Sequence, residues 1–405
     1  MSRPQVLSDW TRELSIRMPH LSKPQVAVLA VLSYGMVVLQ KCSYTTIALW
    51  LAMLEGRKFG TVRQQLREWY YDAQDKRGAH RRQIDVQACF APLLRWVVQL
   101  WTGTTMALAL DATALSDRFV VLSISVLYRS TGIPVAWTVL DAHRKGGWKG
   151  HWLRMLEQIR PSVPSEWTVL VLGDRGLYAR WLFRHIVRMG WHPFLRINQQ
   201  AKFRPEGQSH WYWLTDLVNQ TGGLWYGSGT AFSSKDNHLR CTLVAWWGEG
   251  HKEAWFILTD LSGAKCEATW YGLRAWCEQG FKCLKRGGWQ WQHTRMTDPA
   301  RVARMWLTLA VATLWTVTLG SQVENGPTPE WPDLPDLRPL LGGVIAGVRP
   351  RRTRLVRLGW LWLNAQLSKI YPPPLPRQLV PEPWPGPPEG RWPLAPPPPM
   401  QKTYP

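Results

Sequence analysis

The chain has 405 residues, 45% of them hydrophobic, enough apolar material for two or three domains with real cores and too much for a disordered chain. Forty-nine Lys and Arg against 28 Asp and Glu give a formal charge of +21, which points to a polyanionic partner, nucleic acid first. The six cysteines make no C-x-x-C pair and no Cys/His cluster at zinc spacing, so a reduced, cytoplasmic chain is expected.

Residues 1–102 read as a helical DNA-binding domain. Its opening is polar, with Asp9 and Glu13, and reads as no signal peptide. Pro24 starts an apolar run through Leu39 that is too short to span a membrane. The stretch "SYTTIALWLAMLEGRKFGTVRQQLREWYY" (43–71) then gives a helix, a tight turn and a second helix carrying Arg63 and Arg67. That is a helix-turn-helix pattern, whose second helix can enter a major groove, although any small helical bundle has such turns. "KRGAHRR" (76–82) reads as a basic linker suited to phosphate contact.

From residue 103 the period changes, and 103–325 reads as a ribonuclease-H-like α/β catalytic domain. "MALALDAT", "FVVLSISVLYR" and "PVAWTVLDA" are β-rich runs joined by short polar turns, expected as adjacent antiparallel strands. A helix near 149–160, the buried strand "WTVLVLGD", a helix near 178–189 and the strand "PFLRI" follow. Three strands, helix, strand, helix, strand is the ribonuclease-H-like order. Residues 198–265 interrupt it with Gly-rich turns and short strands, an inserted β region. "WYGLRAWCEQGFKCLKRGG" (270–288) is expected as one helix ended by Gly287 and Gly288. Its apolar back includes Gly280, which would let it sit close to its neighbour. Met305 to Val323 is uncharged, and is read as a helix buried in protein rather than a membrane span, because it holds four threonines and a serine. Residues 326–370 form a basic C-terminal segment, with five arginines in "RPRRTRLVR" (349–357) before a helix near 354–369, and 371–405 is a proline-rich tail expected to be extended.

Three carboxylates stand out on this topology. Asp111 ends "LALD", Asp174 ends "LVLGD", and Glu278 sits on the late helix; in a ribonuclease-H-like sheet the three would converge at one edge. Oxygen ligands suit Mg²⁺, with Mn²⁺ as substitute, and two such ions would serve an in-line displacement at phosphorus. Each aspartate also has a plain structural use, since an Asp at a strand end commonly caps the turn that follows. Asp117 and Asp141 compete near the same region but belong to hairpin positions away from the expected edge. On a helix at 100° per residue, Tyr271, Arg274, Glu278 and Lys285 fall within roughly 60° of one another, a polar edge whose ordinary reading is a solvated face with ion pairs at helical spacing.

The spacing Y-(2)-R-(3)-E-(6)-K over Tyr271, Arg274, Glu278 and Lys285 resembles the signature of bacterial insertion-sequence DDE transposases of the cut-and-paste, hairpin-forming branch. "LALDAT" and "LGDRGLYA" resemble the segments carrying that family's two aspartates, and 198–265 occupies the place of its inserted β domain. The resemblance spans roughly 100–320. It implies a protein of the bacterial cytoplasm, associated with the nucleoid. It would bind the terminal inverted repeats of a mobile element as a homodimer on double-stranded DNA, with no membrane partner. One strand is nicked by water, the freed 3′-OH forms a hairpin on the opposite strand, and the opened ends join target DNA. Asp111, Asp174 and Glu278 would hold the metals, and Tyr271, Arg274 and Lys285 would grip phosphates, with Lys282 beside them. "WFILTD" resembles the segment with the family's base-stacking tryptophan, which makes Trp255 the candidate beside its other reading as a core indole. Arg196 would also contact the DNA end. The N-terminal region and the proline-rich tail lie outside the resemblance. Two other readings stay open: a catalytically inactive, domesticated DNA-binding protein, and a ribonuclease-H-like nuclease without strand transfer.

Overall fold

The computed structural model describes residues 5–76, 82–143, 146–326, 355–368 and 375–386. Most of the linker 76–82, much of the basic run 349–357 and most of the tail therefore lie outside the described residues. In chain order the helices and strands begin with α1 (Gln5–Arg17), α2 (Lys23–Leu39), α3 (Tyr44–Glu55), α4 (Phe59–Arg67) and α5 (Phe90–Leu100). Next come β1 (Thr105–Leu115), β2 (Phe119–Tyr128), β3 (Thr131–Asp141), α6 (Lys149–Ile159), β4 (Thr168–Gly173), α7 (Arg180–Arg188) and β5 (His192–Arg196). The chain continues through β6 (Lys202–Pro205), β7 (Tyr212–Trp213), the single turn α8 (Leu214–Leu217), β8 (Leu224–Ala231), β9 (Leu239–Trp246) and β10 (Trp255–Thr259). It closes with α9 (Ala275–Leu284), α10 (Pro299–Asn325) and α11 (Leu355–Ser368). The result is a mixed α/β protein with a large sheet.

Two compact units interleave along the sequence. The first takes Met1–Gly103, Ala112–Pro164 and Trp276–Glu382; the second takes Thr104–Asp111, Ser165–Ala275 and the chain from Pro383. This differs from the serial division at 102/103 and 325/326 expected above. The reason lies in the apolar faces: α5 and α6 both pack on β3, so the hairpin joins the N-terminal helices.

In the first unit, β2 and β3 pair antiparallel from Phe119↔Asp141 to Tyr128↔Thr131, turning through Arg129 and Ser130 in left-handed backbone (φ 40° and 64°). Ser43 caps α3, Gly56 at φ 65° ends it, and α4 packs back on it. α10 is the central helix. Asp298 caps it through Oδ1, accepting from the Ala300 and Arg301 N–H groups at 2.7 and 3.1 Å. By length and composition it could cross a membrane, yet 94% of its most apolar stretch is buried inside the protein. Trp315 on α10 stacks on Trp10 of α1 at 4.2 Å, and Trp306 meets Trp291 edge-on. Of the chain's 28 tryptophans, Trp10, Trp96, Trp137, Trp152, Trp191, Trp289, Trp291, Trp306 and Trp315 are fully buried in the core.

The second unit is built on strands in the order β1-β4-β5-β10-β9-β8-β6-β7. β1 pairs parallel with β4, and β4 with β5; β10 then pairs antiparallel with β5 and carries the sheet on through β9 and β8. The inserted region 198–265 therefore extends the sheet rather than forming a separate body. The near-continuous apolar runs of β1 and β4 follow from burial on both faces.

Candidate functional site

The parallel register decides the first contact. Leu110 on β1 stands opposite Gly173 on β4, so Asp111 and Asp174, one residue further on each chain path, lie side by side where β4 ends; β1 itself runs on to Leu115 instead of stopping at Asp111 as the sequence suggested. One nitrogen of Arg274 donates to both: Nη2 is 3.1 Å from Asp111 Oδ2 and 3.3 Å from Asp174 Oδ2. The Asp111 side chain is mostly buried and that of Asp174 is 38% exposed. Asp174 uses its other oxygen in the ordinary way, with Oδ1 accepting from the Gly176 and Leu177 N–H groups at 3.0 Å each. One residue thus does both of the things its position suggested, capping the turn with one oxygen and facing Asp111 with the other.

Arg274 closes a stretch that departs from the expected single helix. Ala268–Arg274 is 3₁₀, and the α-helix begins at Ala275 and stops at Leu284, with Lys285 beyond its end. At three residues per turn, side chains three apart eclipse, which stacks Tyr271 under Arg274. Gly272 within that turn weakens the preference for α geometry. Tyr271 is consequently buried rather than on a solvated edge. Burial pushes its phenol up to about 12, opposed by the nearby Arg274 and Arg196 guanidiniums. The Tyr271 ring packs edge-on against Trp255 at 5.0 Å, and Trp255 also touches Trp246 and His251 at 5.2 and 4.5 Å. Trp255 sits in an aromatic cluster on β10, half-buried. Arg196, at the end of β5, donates to the Ala254 carbonyl and pairs with Glu253 at 2.9 Å, while Arg175 takes the other Glu253 oxygen at 3.1 Å. Sequence reasoning missed Glu253, which lies in a loop with no motif around it. Arg175, directly after Asp174, was available to be noticed.

Glu278, Lys282 and Lys285 belong to the first unit. Glu278 and Lys282 are exposed on α9, one turn apart. Lys285 is turned inward: Nζ donates to Thr113 Oγ1 at 2.8 Å and to the Ala114 carbonyl at 2.9 Å, tying the end of α9 to the end of β1. Burial lowers its pKa, with Arg286 adding to the shift. Gly280 makes the close approach read from the sequence. A Cβ there would meet Gly132 O, N and Cα of β3 at 2.8, 2.9 and 3.0 Å. Asp141 caps the turn after β3 through the His143 N–H. Among the described residues no three His, Cys, Asp or Glu side chains group as a ready metal site. The Asp111–Asp174 pair has the hard oxygen donors a divalent cation requires, and the guanidinium shows that positive charge is accommodated between them.

Residues 122–315 match the family described as Transposase DDE domain. The matched segment is just under half of the chain and includes Asp174, Arg274 and Glu278, while Asp111 lies before it. No curated protein matches the chain in sequence. A cryo-EM structure of a piggyBac transposase synaptic complex with hairpin DNA aligns over 92% of this chain and 84% of its own, at 11% identity and a TM-score of 0.35.

The N-terminal candidates Arg63 and Arg67 stand on α4, which follows the α3 helix and its Gly56 turn as expected. Both line a cleft of about 840 Å³ within the first unit.

Proposed function

We propose that this chain is a metal-dependent DNA transposase of the DDE type. Its catalytic core would be ribonuclease-H-like, its N-terminal helices would bind DNA, and it would work as a dimer on the element ends. The observation that carries the reading is the juxtaposition of Asp111 and Asp174 by the β1–β4 register, with one Arg274 nitrogen on both carboxylates. The DDE-domain match over 122–315 supports the same reaction class. Asp111 and Asp174 would hold Mg²⁺ or Mn²⁺, and Glu278 is proposed as the third carboxylate on the strength of its spacing from Tyr271 and Arg274. When bound, the ion supplies Lewis-acid stabilisation of phosphoryl oxygens.

The protein's own groups carry the rest. Arg274 can hand its fork of donors from the carboxylates to a phosphate, a charge-assisted contact of the bidentate kind. Tyr271, neutral across the working pH range, fixes Arg196 and the Trp255 cluster beside it. In the proposed sequence water breaks one P–O bond, leaving a 3′-OH and a 5′-phosphate. That hydroxyl then attacks a phosphodiester of the opposite strand, forming a 3′–5′ hairpin linkage and expelling the 3′ oxygen of the flanking strand as a 3′-OH. Trp255 would stack on the base displaced at the hairpin tip, an unstacking cost of a few kcal/mol.

The test is a duplex carrying the DNA that flanks the reading frame, incubated with protein and Mg²⁺ and resolved on a denaturing gel. A nick followed by a hairpin-sized product, both lost in Glu278→Gln, supports the reading. A second reading, a silent DNA-binding protein, draws on the Arg274 bridge, which already pairs with both carboxylates; binding with no cut in Mg²⁺ or Mn²⁺ favours it.

A further inference from the structure

The cleft of about 840 Å³ in the first unit has no part in the chemistry above. Its walls come from α4, the segment Tyr70–Tyr71 after it, Lys41–Thr46 at the entry and first turn of α3, and the stretch Gln290–Asp298 leading into α10. Five permanent cations line it: Lys41, Arg63, Arg67, Arg295 and Arg301. The one acidic residue in the lining, Asp298, has an oxygen committed to capping α10. Arg301 makes a long 3.6 Å pair with Asp75, and its Nε is buried with no acceptor. A buried donor left unmatched in a cationic wall is a place for an incoming oxygen.

Tyr71 tells what kind of ligand fits. The Arg67 and Arg301 guanidiniums both lie over its ring, 5.1 and 4.8 Å from the centroid. A ring already engaged by two cations is not a platform for stacking a base. The wall is also rigid, because the buried Arg304 of α10 donates to the Tyr70 carbonyl and pairs with Asp72. The features favour a polyanion read by charge and not by sequence.

We infer that this cleft is a clamp for the phosphodiester backbone of DNA, separate from the carboxylate site. The inference rests on the DNA reading above for the identity of the polyanion. It also changes the expected use of Arg63 and Arg67. They face a cleft shared with Arg295 and Arg301, so α4 grips phosphates instead of reading bases from a major groove.

The test is fluorescence anisotropy of the full chain with a labelled duplex of random sequence, over a series of salt concentrations. Three neutralisations in the cleft, Arg63→Gln, Arg67→Gln and Arg295→Gln, are compared with three on the second unit, Lys202→Gln, Arg204→Gln and Arg240→Gln. The single Arg295→Gln, at an exposed loop position, keeps the test open should the triple variant fold poorly. The cleft variant is expected to lose at least about tenfold in affinity, equally for every sequence. Its slope of log affinity against log salt should fall by roughly 0.9 per lost phosphate contact, and the single variant should lose one such step. Equal losses in both triples, or an unchanged slope, overturn the clamp. So does competition by inorganic phosphate as effective as competition by DNA, which would mark a site for the free anion only. The readout separates the two proposals: the clamp stands if binding behaves so while no duplex is ever cut, and fails alone if cleavage is intact with cleft variants that bind normally.

Discussion

Breaking the Arg274 bridge should cost most where the carboxylate left behind is driest, and that is Asp111. Arg274→Leu is therefore expected to lower unfolding stability by about 3 kcal/mol, the scale for removing one member of a buried ion pair. Adding Asp111→Asn should recover part of that loss in urea unfolding, whereas adding Asp174→Asn, at a more exposed carboxylate, should recover less. Additive losses would show that the bridge carries no coupling. Tyr271 offers a second test at this scale. Its phenol is raised from 10.0 to about 12 by burial, so the proton is held more tightly in the folded state. The stability tied to it is fully present below pH 10 and is lost as the pH rises through 12. An ultraviolet titration should show Tyr271→Phe removing one late-titrating phenol; removal of one that titrates near its ordinary value would contradict the burial. Asp111 and Asp174 were legible in the sequence because two long apolar runs each carry one carboxylate at the place where the expected topology sets the strands side by side, although either aspartate alone has a common structural use. Glu253 and the Asp298 cap of α10 were not, since an acidic residue in a loop or ahead of a helix looks the same whether or not it has a task.

At the scale of elements, α9 meets β3 backbone to backbone, and Gly280 is the residue that permits it. Gly280→Ala would place a methyl within 3.0 Å of three Gly132 backbone atoms, none of which can rotate away. Overpacking of this kind costs about 1–3 kcal/mol. Gly60→Ala is the counterpart: it lies in α4 with nothing within 4 Å of a new Cβ, and should gain roughly 0.5–1 kcal/mol from lost backbone freedom in the unfolded chain. Thermal unfolding of the pair gives opposite signs if the packing argument holds, and equal shifts would refute it. The same contact shows what periodicity can and cannot supply. The apolar back of 270–288 identified a buried face and its glycine, because side-chain chemistry sets those. The change from 3₁₀ to α at Ala275 escaped notice, because it depends on how Tyr271 and Arg274 are held by Trp255 and the two aspartates, contacts far apart in sequence. The strands of 103–196 were read closely, since long β-branched runs between short turns leave little choice.

For the whole molecule, the interleaving of the two units means that distant segments close each one. In the first unit residues 375–382 act as a strap whose backbone reaches the end of α5: Leu379 N–H donates to the Leu100 carbonyl at 2.7 Å, and the Leu379 carbonyl accepts from Thr102 N–H at 2.9 Å. The Val380 carbonyl accepts from Arg129 Nε at 2.8 Å and from the Tyr128 hydroxyl at 3.0 Å, while Arg129 pairs with the buried Glu324. Proline suits such a strap, because extended backbone with few donors can lie on a surface without needing partners of its own. Leu379 is fully buried, so the strap is also anchored by apolar contact. Leu379→Ala should cost about 2–4 kcal/mol, the range for a leucine truncated in a core, and should shift the whole unfolding transition of the first unit. An exposed substitution beside it, Gln378→Ala, should leave the midpoint within about 0.5 kcal/mol. If Leu379→Ala were equally silent, the strap would be a passive covering and the closure of the first unit would rest on α10 and α11 alone, where Gly320 and Gly359 already bring the two helices into backbone contact.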